Sequence, residues 1–251
     1  MDDTKQIIVQ RGTKCVYRDG DVIVKQFVPG YAKSAVLKEA FNHALAEETG
    51  LTVPQLLEVK DTGEGWALVI RRIPGRTMAQ AMQEEPHKRQ TYMEQFVAIQ
   101  SDIHRATCKR MGRLKDKLNA QISSLRDELD ATTRYELHVR LENMKPHTKI
   151  THGDFNPTNV ILGDDGRAYV IDWAHAAIGN ASADAAMTYL QFALEDPETA
   201  ELYLKTFCQK NDIAIQYVQK WLPIVAAAQM TKRHGAEREF LTSLTQVVEF
   251  E

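Results

Sequence analysis

The sequence predicts an α+β protein built from two unequal parts. Short alternating apolar runs dominate the chain up to about residue 73, and a single helical pattern interrupts them. Beyond Ile73-Pro74-Gly75 the apolar period becomes mainly helical, with one polar hairpin inside it. A strand-rich front and a helical body segregated along the chain is the α+β pattern, and it places a domain boundary between residues 1–73 and 74–251. Two such parts leave a boundary at which small-molecule sites preferentially form.

In the front part, residues 7–10, 14–18, 21–27, 56–60 and 66–71 read as strands, separated by turn signals at Gly12, Asp19-Gly20 and Thr62-Gly63-Glu64-Gly65. Asp-Gly favours a tight hairpin because both residues tolerate positive φ. Residues 33–49 carry Leu37, Phe41, Ala44 and Leu45 at i, i+4, i+7 and i+8, which predicts a helix with these as its apolar stripe and Gly50 closing it. In the body, Tyr92, Phe96, Ile99 and Ile103 form one stripe, and Leu114, Leu118, Ile122, Leu125 and Leu129 another. Further helices are expected at 131–144, 182–195 (N-capped by Ser182), 197–210, 213–234 and 236–248, with Pro223 breaking or kinking the fourth. Residues 159–162 and 168–171, joined by Gly163-Asp164-Asp165-Gly166, read as the hairpin.

Composition narrows the function. The 251 residues carry 31 Lys plus Arg against 34 Asp plus Glu, a net charge of −3, which argues against a nucleic-acid-binding protein. Three dispersed cysteines, Cys15, Cys108 and Cys208, form neither a disulfide framework nor a zinc spacing and point to a reducing, cytoplasmic compartment. The opening MDDTKQIIVQ lacks the basic and apolar segments of a targeting signal, and the longest nearly apolar stretch, about 222–230, is far short of the roughly 20 residues a membrane span needs. No membrane partner is therefore expected, and the sequence leaves the oligomeric state open.

The densest polar cluster is His152-Gly153-Asp154, followed by Asn159 and, at the end of the apolar run Val170-Ile171, by Asp172. An Asp at one strand end facing an Asn at the start of the partner strand supplies two hard oxygen ligands. That donor set suits Mg²⁺, which takes one or two protein oxygens together with substrate phosphates. Asp154, on the loop before Asn159, is placed to accept a proton from a hydroxyl. Lys25 shares a strand face with Ile23 and Phe27, and a lysine on an apolar face requires a charged partner.

Asp-x4-Asn followed by Asp is the spacing of the protein-kinase catalytic loop and metal-binding Asp. As HGDFNPTN and IDW, it resembles the aminoglycoside phosphotransferase and choline kinase group of the protein-kinase-like superfamily. VIVKQF around Lys25, Glu39 in the following helix, LVIRRIPG at 68–75 and GNASADAA around Asp184 extend the resemblance in order over residues 12–186. The resemblance implies a two-lobed protein-kinase-like fold: a small antiparallel N-lobe with one helix binding nucleotide, and a larger, mainly helical C-lobe carrying the catalytic loop and acceptor site. It further implies that Lys25 contacts the α- and β-phosphates of ATP and pairs with Glu39, that Asn159 and Asp172 hold Mg²⁺, and that Asp154 activates the acceptor hydroxyl. Backbone groups of Arg71, Arg72 and Ile73 would meet the base, of ATP or alternatively GTP. His152 would brace the loop and Asp184 steady it.

Where a glycine-rich loop should cover the phosphates, Gln10-Arg11-Gly12-Thr13-Lys14-Cys15 holds one glycine; Gly12, Thr13 and Lys14 are its candidate contacts. Asn156 stands where protein Ser/Thr kinases carry lysine, and only eleven residues separate Asp172 from Asp184, too few for a peptide-docking segment. The expected function is an ATP- and Mg²⁺-dependent O-phosphotransferase with a small hydroxylated acceptor, aminoglycoside-like or an amino alcohol or sugar. A catalytically silent nucleotide-binding scaffold and a protein kinase are the alternatives. Glu195, Asp196, Glu198, Glu201, Glu249 and Glu251 are candidates to attract a cationic acceptor.

Overall fold

The computed structural model describes residues 5–232 and 234–245. They group into two compact units, one formed by the chain up to Pro86 with Pro157–His175, the other by His87–Asn156 with the chain from Ala176. Glu249, Glu251 and the last positions of the expected helix 236–248 lie outside the described residues.

The first unit opens with β1 (Lys5–Arg11), β2 (Lys14–Asp19) and β3 (Val22–Phe27), then α1 (Lys33–Glu48), β4 (Leu56–Asp61) and β5 (Trp66–Arg71). The strands form one antiparallel sheet in the order β1-β2-β3-β5-β4. The central strands are covered on both faces: Val24 packs with Ala67 and Val69, and Phe27 and Leu68 pack with Val36 and Ala40 of α1. The β2–β3 turn is Gly20-Asp21 rather than Asp19-Gly20, because Asp19 pairs with Val22 and of the two loop residues only Gly20 has positive φ.

Helix α1 keeps Leu45 of the expected stripe buried but not Leu37 and Phe41. Leu37 and Phe41 are 44% and 47% exposed, whereas Glu39, Asn42 and His43 are buried beside Val36, Ala40, Leu45 and Ala46. Each buried polar side chain has a partner: Glu39 takes Lys25, Asn42 donates to the Trp173 carbonyl at 3.4 Å, and His43 bonds the Pro54 carbonyl at 2.6 Å. Burial of a polar group is tolerated when it is paired, so the apolar pattern alone misplaces this face.

After β5 come β6 (Gly75–Thr77) and α2 (Met78–Glu84), the latter begun by a Thr77–Gln80 capping box. The second unit then starts with α3 (Arg89–Arg105), α4 (Leu114–Ser124), α5 (Ala131–Asn143) and β7 (Lys149–Thr151). Helix α4 stops at Ser124, short of the expected stripe, although Leu125 and Leu129 remain buried in the turns that follow. The chain returns to the first unit as the hairpin β8 (Val160–Gly163) and β9 (Ala168–Val170), which joins β6 in a three-stranded sheet ordered β6-β8-β9. That pairing is why a single cut near residue 73 does not coincide with the compact units. It also explains Gly75, whose φ is +146° and where a Cβ would lie 2.1 Å from the Leu162 carbonyl oxygen.

The rest of the second unit is β10 (Ala177–Gly179), paired antiparallel with β7, then α6 (Ala181–Glu195), α7 (Pro197–Asn211), α8 (Ile215–Gln219), α9 (Leu222–Met230) and α10 (Gly235–Thr245). Pro223 sits in the first turn of α9, so the expected helix 213–234 is two helices. Asn180, not Ser182, caps α6, accepting from the Ser182 N–H at 2.9 Å. The core is aromatic: Phe96 stacks on Phe155 at 4.3 Å and meets Phe192 and Tyr203 edge-on. No helix among the described residues is long and apolar enough to cross a membrane.

Candidate active site

Two clusters of charged groups stand out, one in each unit. In the first, β3 carries Lys25 on the face turned to α1, and its ammonium ion-pairs with both Glu39 and Asp172, the latter at 3.0 Å. Lys25 is only 6% exposed. Burial works against its charge, but Asp172 and Glu39 outweigh it and hold the ammonium above the ordinary lysine range. Lys14 of β2 lies 3.5 Å from the other Asp172 oxygen. Burial pulls Lys14 below the usual value; Asp172 opposes this and Lys25 adds to it. Two ammonium groups thus converge on one carboxylate.

Asp172 follows β9 with φ +65°, in the left-handed region that few non-glycine residues adopt. The Ile171 N–H donates to the Asn159 carbonyl at 3.0 Å, which fixes the two residues on adjacent backbones at the open end of the hairpin. Asn159 is nearly buried, while the Asp172 side chain keeps 26% of its surface. Among the described residues no group of three or more His, Cys, Asp or Glu side chains could hold a metal by itself.

The second cluster surrounds Asp184, in the first turn of α6. Its carboxylate is completely buried and accepts from the Gly153 N–H at 2.7 Å, the His152 N–H at 3.2 Å and the Gln100 amide at 3.4 Å, and contacts His104 Nε2 at 2.9 Å. Burial pushes the carboxyl up, but His104 and the Gly153 N–H more than offset this and hold it below the ordinary range. Both backbone donors belong to the segment that continues into Asp154. The Asp154 carboxylate in turn accepts from Gln191 of α6 at 2.7 Å, and the Asn156 amide donates to the Asp154 carbonyl at 3.1 Å.

Of the sequence-predicted residues, the first unit brings together Lys25, Glu39, Lys14, Asp172 and Asn159. Gly12 and Thr13 form the β1–β2 turn, and the Thr13 carbonyl accepts from the Val28 N–H at 3.1 Å. In the segment after β5 the N–H groups of Arg71 and Arg72 are used by Gln55 and Asp21 carbonyls, and Pro74 has none. Among the described residues the Ile73 N–H has no carbonyl acceptor. Of the acidic residues, Asp196 caps α7 and pairs with Arg89, and Glu201 accepts from Tyr189, whose hydroxyl burial and Glu201 push up to about 12. Sequence reasoning missed Gln191, Gln100 and His104; each reaches its partner from a distant helix, and no spacing marks it.

The sequence profile of the phosphotransferase enzyme family matches residues 12–215. No curated protein sequence matches the chain. Among solved structures, a thermostable mutant of the aminoglycoside phosphotransferase APH(4)-Ia, in ternary complex with ADP and hygromycin B, is 15% identical with a TM-score of 0.72, over 97% of this chain and 92% of that one. The choline kinase LicA from Streptococcus pneumoniae gives 15% and 0.66 over 96% and 92%, and an aminoglycoside-3'-phosphotransferase of type VIII gives 20% and 0.60 over 87% and 94%. The fold is the α+β, kinase-like fold of these structures.

Proposed function

The chain belongs to the phosphotransferase enzyme family, and we propose that it is a kinase that moves the γ-phosphoryl group of ATP, with Mg²⁺, onto the hydroxyl of a small amino alcohol, sugar or aminoglycoside-like acceptor. The observation that carries this reading is the Lys25–Glu39–Asp172 ion-pair set with Asn159 on the neighbouring backbone. A lysine this buried is costly to keep charged unless its charge is used.

Lys25, oriented by Glu39, holds α- and β-phosphate oxygens, and Lys14 adds a second positive charge at the phosphates. The Ile73 N–H reads the edge of the base. Asn159 and Asp172 are hard-oxygen donors fixed side by side, the set that fits Mg²⁺ when nucleotide phosphates complete its shell. When bound, the ion neutralises charge on the transferring group. Asp154, reached five residues before Asn159 in one continuous segment, accepts the proton of the acceptor hydroxyl. The acceptor oxygen bonds to the γ-phosphorus, the bond from that phosphorus to the bridging oxygen breaks, and ADP leaves. The protein contributes position and charge, since phosphoryl transfer leaves it little covalent chemistry.

Neighbours named for aminoglycosides and choline support this acceptor class. The free cysteines Cys15, Cys108 and Cys208 fit a reducing cytoplasm.

The test is thermal stabilisation by ATP with and without Mg²⁺, on the wild type and on Asp172→Ala, followed by a screen of hydroxylated amines and sugars for phosphate acceptance. Mg²⁺-dependent stabilisation lost in the variant, with a phosphorylated product, supports the reading. No stabilisation at saturating nucleotide would overturn it, and stabilisation with no transfer to any acceptor or to water would leave a scaffold.

A further inference from the structure

Within the second unit a cavity of about 270 Å³ opens between α4, the segment 144–148, β10 and the start of α9. Its floor is apolar, with Leu118, Leu141 and Ile178 among the lining residues. Its polar lining is of one sign: Arg113, Lys115, Lys145 and His147 contribute, and no carboxylate does. Lys115 is engaged by Glu142 at 2.9 Å and Arg113 lies 3.9 Å from Asp116, but Lys145 has no carboxylate partner among the described residues. His147 registers this field. Burial, then the charges of Lys149 and Lys145, hold its imidazole below the ordinary value.

Trp221 forms part of the same wall. It is 4% exposed, and its indole N–H has no acceptor among the described residues. A buried donor without a partner is costly and uncommon in folded proteins, so it calls for an explanation. Apolar floor, cationic rim and unmet donor describe one class of occupant.

We propose that this cavity binds a small organic anion, with a carboxylate or phosphate-monoester head that meets Arg113, Lys145, His147 and the Trp221 indole N–H and an apolar body over Leu118, Leu141 and Ile178. Its volume lies just under the roughly 300 Å³ at which ligand cavities begin, which restricts the occupant to a compact molecule. The walls also bear on the catalytic loop. Ile178 pairs with Ile150 of β7, the strand that runs into His152, and Asn180, also in the lining, caps the helix that carries Asp184. The site is separate from the phosphotransfer reading and stands without it.

The test uses 3-phenylpropanoate as probe, with 3-phenylpropanol and 3-phenylpropylamine as neutral and cationic counterparts of the same shape. The chain has three tryptophans, so the Trp221 indole N–H resonance is identified by its loss in Trp221→Phe. A saturable shift of that resonance by the carboxylate, absent with the amine and at least tenfold weaker with the alcohol, supports the site. In Arg113→Ala/Lys145→Ala, two exposed positions whose loss leaves the core intact, the apparent affinity should fall at least tenfold. No shift at millimolar carboxylate, an equal response to the alcohol, or unchanged affinity in the double variant overturns the proposal.

Discussion

Asp172 and Asp184 are both carboxylates neighboured by basic groups, yet their surroundings differ. Asp184 is sealed from solvent and spends its lone pairs on His104 and two backbone N–H groups. Asp172 keeps a quarter of its side chain exposed, sits at positive φ and pairs with two lysines. The first arrangement shapes a loop; the second leaves a carboxylate open to exchange its partners for a ligand's. On the proposed function, the difference separates a group spent on structure from one reserved for chemistry, and mutations should divide along that line.

The largest stability effect is expected at Asp184. Asp184→Ala strands His104 and the Gly153 and His152 donors in a dry interior and should cost about 3–5 kcal/mol in urea unfolding, the range for breaking a buried ionic network. Asp172→Asn, which tolerates the left-handed backbone, should stay within about 1 kcal/mol while phosphotransfer falls about a hundredfold or more. A larger stability loss at Asp172 than at Asp184 would erase the contrast.

Next is Lys25. Lys25→Met leaves Glu39 buried without its cation and should destabilise by about 3 kcal/mol. Lys25→Met/Glu39→Leu should recover most of that while remaining inactive, because an apolar pair can replace a buried ion pair in the fold but not at a phosphate. Failure of the second substitution to restore the urea midpoint would show that the cost lies elsewhere than in the unpaired carboxylate.

The two clusters should also separate on the pH axis. Asp184 is depressed below its ordinary 3.8, so its contribution is present above that pH and is lost as pH falls further. Lys25 is raised above its ordinary 10.5, so its contribution is full below that pH and is lost only as pH climbs beyond it. Melting temperature against pH should therefore lose part of its acid limb in Asp184→Asn and part of its alkaline limb in Lys25→Met. The reverse assignment of limbs would contradict both environments.

What could be read from the sequence follows the same division. Strands β1 to β5 and the large helices carry repeating apolar patterns, and the elements lie close to where these patterns place them, although β1 is exposed along its length. The three-residue strands β6, β7 and β10 are too short for alternation to register, although β6 decides where residues 157–175 pack. Helix α1 misleads because its buried face is held by paired polar groups, Glu39, Asn42 and His43, while Leu37 and Phe41 face outward. Residues in one local motif, Asp154, Asn159 and Asp172, are visible as a spacing. Partners from far along the chain are not: His104 is 80 positions from Asp184 and Gln191 is 37 from Asp154.

Gln191 provides the finest version of the contrast, since it touches the loop Asp184 secures but acts on a side chain rather than on backbone. Its amide nitrogen donates to Asp154 at 2.7 Å, and reversing the amide would set oxygen against carboxylate, so the orientation is fixed. Its own oxygen is buried with no partner among the described residues. In Gln191→Leu the carboxylate loses this tether, so kcat should fall about tenfold, as expected when a proposed proton acceptor is misplaced. KM for ATP should be unchanged, because no nucleotide contact is assigned to α6, and stability should move by about 1 kcal/mol or less. A structural role alone would lower stability and spare kcat. Equal losses in kcat and ATP affinity would instead mean that the substitution had displaced the loop, returning Gln191 to the class of Asp184.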